Sequence, residues 1–82
     1  MSNIKVTVRF YGILADHVGT NQQVVETSNQ STITDMIQSQ YPNGILNMEF
    51  ISACAINNQF SDKNALIQDG DIIDLMPQFA GG

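Results

Sequence analysis

From residue 4 to residue 11 apolar and polar side chains alternate. Ile4, Val6, Val8 and Phe10 fall on one side of an extended chain, and Lys5, Thr7, Arg9 and Tyr11 on the other. A period of two marks a strand with one face in the core. The period then changes: Leu14 and Val18 stand four apart between Gly12 and Gly19, which predicts a short helical turn ended by Gly19. Residues 23–27, Gln-Val-Val-Glu-Thr, carry β-branched side chains and predict a second strand that pairs back on the first as a hairpin.

Residues 28–31 read as a loop, after which Thr32 and Asp35, three apart, offer a capping box and an acid at a helix N-terminus. A helix is expected to start there, because Ile33, Met36, Ile37 and Tyr41 recur at helical spacing until Pro42-Asn43-Gly44 stops the run. Its single apolar stripe covers one sheet face. Residues 45–50 mix Leu46, Met48 and Phe50 at spacing two and predict no definite element. Residues 51–56, Ile-Ser-Ala-Cys-Ala-Ile, form a small-residue apolar strand, expected at a central position under the helix. Asn57-Asn58-Gln59 is then a turn, Asp69-Gly70 a second turn, and residues 71–76 a last strand. Two strands, a helix and two more strands predict an α+β two-layer fold, with one main helix on one face of a mixed sheet. Residues 1–82 are expected to form one domain, with 77–82 an extended tail.

Size limits what such a domain can do. A chain of 82 residues builds one modest core and leaves little room for a deep catalytic pocket of its own. No apolar run approaches the roughly 20 residues that cross a bilayer, and the first residues carry no basic region followed by a long apolar stretch, so a cytoplasmic location is expected. The net charge of −5 opposes binding to nucleic acid and to anionic membranes, and favours a basic protein partner. With one cysteine, Cys54, neither an internal disulfide nor a multi-cysteine metal site is available.

Few side chains invite chemistry. His17 is the only histidine and has no second ligand near it in sequence, so it reads as a solvated surface residue. Cys54 lies in an apolar strand, where a free thiol behaves as a small buried hydrophobe. Asp69 and Asp71 flank a turn, while Asp74 alternates with Ile73 and Leu75 and is expected on a wet strand face. Neither a phosphate-binding glycine loop nor a metal motif is present. The sequence finishes in Phe79-Ala80-Gly81-Gly82, and two residues without side chains can pass a channel too narrow for any Cβ atom. That end is expected to be the working part, with Tyr11, Phe60 and Met76 a candidate docking patch.

Four segments, in order and at matching spacings, carry a resemblance: Arg9-Phe10-Tyr11-Gly12-Ile13-Leu14-Ala15-Asp16-His17-Val18-Gly19, Ala55-Ile56-Asn57-Asn58-Gln59, Asp69-Gly70-Asp71 and Met76-Pro77-Gln78-Phe79-Ala80-Gly81-Gly82. Together they resemble the small subunits of molybdopterin synthase, a family of sulfur carriers, across essentially the whole chain. The resemblance implies a ubiquitin-like β-grasp fold and a carrier without an autonomous active site, working within a heterotetrameric sulfurtransferase. It implies that an E1-like activating enzyme uses ATP to adenylate the carboxylate of Gly82, and that sulfur then replaces the nucleotide to give a thiocarboxylate. The large synthase subunit would receive that sulfur for the cyclic pterin precursor of the molybdenum cofactor. The carrier itself would bind no cofactor or metal. Phe79, Ala80 and Gly81 correspond to the threaded tail, and Tyr11, Phe60, Met76 and Pro77 to residues set against partners. Gln78 stands where a second proline is common in the family, which removes one fixed φ angle from the tail. Rival roles are a sulfur carrier for thiamine thiazole synthesis, a ubiquitin-like protein modifier and a non-reactive interaction domain. The segment from Gly12 to Gly19 favours the pterin pathway over thiazole synthesis.

Overall fold

The computed structural model describes residues 3–42 and 48–77. Strand β1 spans Asn3–Phe10, helix α1 Ile13–Val18, strand β2 Gln22–Ser28 and helix α2 Ile33–Gln40. A 3₁₀ turn at Met48–Phe50 then leads into β3, Ile51–Ile56, followed by β4, Gln59–Ser61, and β5, Ile72–Pro77. One mixed sheet joins the strands in the order β2-β1-β5-β3-β4. β1 and β5 are parallel and the other neighbours antiparallel. With α2 on one face, this is the ubiquitin-like β-grasp.

The alternation in β1 becomes burial. Ile4, Val6, Val8 and Phe10 are all buried, and the register sets Val6 beside Val25, Val8 beside Ile73 and Phe10 beside Leu75. Ile33, Met36 and Ile37 of α2 close the same core. Each such side chain, taken fully from water, stabilises the fold by roughly 1.5–3 kcal/mol before entropy is counted. The expected capping box starts α2: the Asp35 amide donates to Thr32 Oγ1 at 3.0 Å, and the Thr32 amide to Asp35 Oδ2 at 3.1 Å. α1 ends as expected at Gly19, whose φ of 93° needs glycine.

Two expectations are corrected. The turn after β3 is Asn57-Asn58 alone, with φ angles of 52° and 70°, so that Gln59 pairs with Ile56 and opens a fifth strand. Two consecutive left-handed residues match the twist of a tight hairpin, and asparagine reaches that region more readily than most residues. The middle of the sheet belongs to β5 rather than to residues 51–56, because β5 inserts between β1 and β3.

Candidate functional site

The sheet face turned away from α2 is built by register. Across all five strands one row reads Gln22, Arg9, Asp74, Ala55 and Phe60. A neighbouring row sets Met76 beside Ala53. Tyr11, one residue beyond β1, donates its backbone N–H to the Leu75 carbonyl and reaches over this face. Thus Tyr11, Phe60 and Met76, far apart in sequence, lie on one surface. Phe60 is 80% exposed and Tyr11 42%, while Met76 and Pro77 are half-buried.

Pro77 ends β5 against the turn that follows β1. A Cβ on Gly12 would lie 3.1 Å from Pro77 Cγ, and the Gly12 backbone, at φ 57° and ψ −132°, is in a region that residues with a side chain rarely enter. Glycine here therefore serves both the turn and the close approach of the last described residue. Gln78, Phe79, Ala80, Gly81 and Gly82 lie outside the described residues.

The sequence reading missed the centre of this face. Asp74 is not on a wet strand face: it is 6% exposed. Its Oδ1 accepts from Arg9 Nε at 2.5 Å and from the Tyr11 hydroxyl at 3.2 Å, and its Oδ2 accepts from Arg9 Nη2 at 2.9 Å. Arg9 Nη2 also donates to Asn58 Oδ1 at 3.2 Å. A carboxylate gripped by both arms of a guanidinium tolerates burial because its oxygens are satisfied. The hydrogen bond to Asp74 raises the Arg9 pKa above its already high ordinary value, so the cation persists at any working pH. The signal was present in the alternation, since Arg9 and Asp74 are both polar positions on the outer side of their strands. Their adjacency depended on a parallel pairing of β1 with β5, which joins strands 65 residues apart.

The remaining candidates do other work. Asp69 Oδ1 accepts from the Lys5 amide, and Asp71 from the Gln68 amide and Asn57 Nδ2, which is the turn chemistry expected of them. Cys54 is buried and donates to the Ser61 carbonyl at 3.2 Å, and burial pushes its thiol pKa up. That opposes formation of a reactive thiolate. His17 is exposed and its ring stacks on Phe50 at a centroid distance of 5.9 Å. Among the described residues no cluster of histidine, cysteine and acids has metal-binding geometry, and no helix is long and apolar enough to cross a membrane. What the described surface offers is a face that is part apolar and part ionic.

The ThiS family model matches residues 8–82. No curated protein matches the chain. Among solved structures, SAMP1 from Haloferax volcanii superposes with a TM-score of 0.79 at 16% identity, covering 95% of this chain and 99% of the other. Small archaeal modifier protein 1 from Methanosarcina acetivorans superposes with a TM-score of 0.72 at 17% identity over the full length of both chains. A chain from the complex of subunits 1 and 2 of the molybdopterin-converting factor of Helicobacter pylori has a TM-score of 0.63 at 25% identity, covering 96% of this chain and 100% of that one.

Proposed function

The chain belongs to the ThiS family, and we propose that within it this protein is the sulfur-carrier subunit of molybdopterin synthase. Its class is that of a ubiquitin-like sulfur carrier or modifier. The observation that supports the finer reading is the placement of Pro77, which ends the central strand against Gly12, directly after Met76 on the face that also carries Tyr11 and Phe60. Residues 78–82 continue from that point, and the family match includes them to Gly82. The neighbour from Helicobacter pylori, described in complex with a second subunit, supports a large-subunit partner.

In this reading Gly82 is the residue that is loaded. Its carboxylate is a poor acyl electrophile, being anionic and without a good leaving group. An activating enzyme supplies the leaving group by transferring AMP from ATP with loss of pyrophosphate. A sulfur nucleophile then displaces AMP and leaves a thiocarboxylate, whose sulfur is ionised at neutral pH and strongly nucleophilic. Gly81 and Ala80 keep the path narrow, and Phe79 extends it. Tyr11, Phe60, Met76 and Pro77 hold the domain on its partner while the large synthase subunit presents the pterin precursor.

Intact-mass analysis after incubation with the organism's activating enzyme, ATP and a sulfur source tests the reading. The expected product carries sulfur in place of one oxygen at Gly82 and supports dithiolene formation with the large subunit. Appending one alanine after Gly82 should abolish loading with thermal unfolding nearly unchanged. Continued cofactor synthesis by that extended chain would end the proposal. The likeness to small archaeal modifier proteins favours one second reading, joining of Gly82 to lysines of other proteins. Mass-shifted conjugates in cells, without pterin sulfuration, would select it.

A further inference from the structure

Pro77 is flanked on two sides by segments that bear exposed apolar side chains. On one side Gly12 lies close against its ring, and Ile13, the next residue, is 54% exposed. On the other side Ile51 pairs with Pro77 across the β3–β5 register, and Phe50, the residue before it, is 46% exposed. Exposed His17 joins the two. It stands one turn beyond Ile13 on the same face of α1, and its ring stacks on Phe50. α1 packs Leu14 into the core and Ala15 and Val18 against it, so this cluster belongs to the α2 side of the sheet's end rather than to the face of Tyr11, Phe60 and Met76. Single exposed apolar residues are ordinary, but here they adjoin one another around one strand end. Asp16 and Glu49, next in sequence to His17 and Phe50, are exposed and give the cluster an acidic border.

We propose that Ile13, His17 and Phe50 form a second docking surface, which the adenylating enzyme covers with an apolar patch bordered by basic side chains when it takes in Gly82. The inference rests on the reading that Gly82 is adenylated. Chain length selects the occupant. Five residues follow Pro77, and fully extended they reach at most about 18 Å. The two glycines must lie inside the enzyme's site for the carboxylate to meet ATP, which leaves at most about 11 Å between Pro77 and the mouth of the channel. A rim held that close to Pro77 closes on the side chains that surround it, and Ile13 and Phe50 stand on its two flanks. Covering them removes apolar surface from water, and the stacked rings of His17 and Phe50 are ordered before the partner arrives, which lowers the entropic cost of association. The acidic border and the net charge of −5 match basic side chains at the edge of the patch. A second copy of the chain carries the same charge and is the poorer match.

His17 is the chain's only histidine, so its modification by diethyl pyrocarbonate, followed by peptide mass, reports on the cluster in the native protein. A saturating amount of the activating enzyme from the same organism should slow that modification by about tenfold or more. In parallel, Ile13→Ser with Phe50→Ser should raise KM for adenylation by about tenfold or more, with little change in kcat or melting temperature. The control is Leu66→Ala, which alters an exposed apolar residue beside Thr32 at the other end of the sheet and should leave KM unchanged. Unaltered His17 reactivity in the saturated complex overturns the inference, as does an unchanged KM in the folded double variant or an equal rise with Leu66→Ala. Protection that rises with the protein's own concentration, without enzyme, also overturns it by making a second copy the occupant. Failure of the native chain to be adenylated would instead strike at the sulfur-carrier reading, so the two outcomes are separable.

Discussion

The two faces of the sheet use the same strands for opposite purposes. Toward α2, Val8, Ile73 and Leu75 have no exposed surface at all, and toward the other side Arg9, Tyr11 and Phe60 stay partly or largely in water. β5 shows the contrast within a few residues: Ile73 and Leu75 point into the core while Asp74 between them holds Arg9. Stability resides on the first face, and the proposed function places recognition on the second. A mutation on one should therefore leave the other's property nearly intact.

The strongest test of that division is Leu75→Ala, which empties a fully buried site and should cost about 2–5 kcal/mol. Denaturant unfolding would read it, and a loss under about 1 kcal/mol would show the core to be less closely packed than its burial indicates. Next, Gly12→Ala forces a side chain into a positive-φ turn and against Pro77, at a cost of about 1–3 kcal/mol. It sharpens the comparison, because the same change should displace the start of the tail and slow loading of Gly82 in protein that remains folded. Thr32→Ala removes one arm of the capping box and should lower stability by about 1 kcal/mol in thermal unfolding, with partner binding unchanged. Phe60→Ala should behave inversely, shifting stability by no more than about 0.5 kcal/mol yet weakening association with the activating enzyme by about tenfold or more. A Phe60→Ala protein that unfolds readily but binds normally would erase the distinction between the faces.

The smallest effect concerns pH. Burial raises the folded-state pKa of Cys54 above its ordinary value of 9.0, with Lys63 opposing and Asp62 assisting more weakly. A raised folded value means that the folded state holds the thiol proton more tightly. Its contribution to stability is full below 9.0 and is lost as pH rises through the folded value. Burial raises the Tyr41 pKa above 10.0 as well, with the same sign at higher pH. Cys54→Ala should flatten the alkaline decline in melting temperature that begins near 9.0. An identical decline in that variant would assign the effect to other groups.

Local pattern carried far in this chain. Strict alternation marked the core side of β1, Thr32 and Asp35 marked the start of α2, and Gly19 marked the end of α1. These features depend on residues a few positions apart, where backbone geometry translates spacing directly into direction. β4 escaped notice because its three residues carry no alternation long enough to read, and it exists through the Asn57-Asn58 turn and its pairing with β3. Tyr11, Phe60 and Met76 were recognisable as a candidate patch from strand parity and turn position, and the register sets them on one surface.

The amino-acid order by itself determined which side of β1 enters the core and where the helices start and stop. Only the tertiary structure decided that β5 takes the middle of the sheet, and with it that Arg9 meets Asp74. Periodicity fixes the side of a strand on which a residue stands, but the neighbour on that side depends on strand order and register. Those are settled by the cooperative burial of the opposite face.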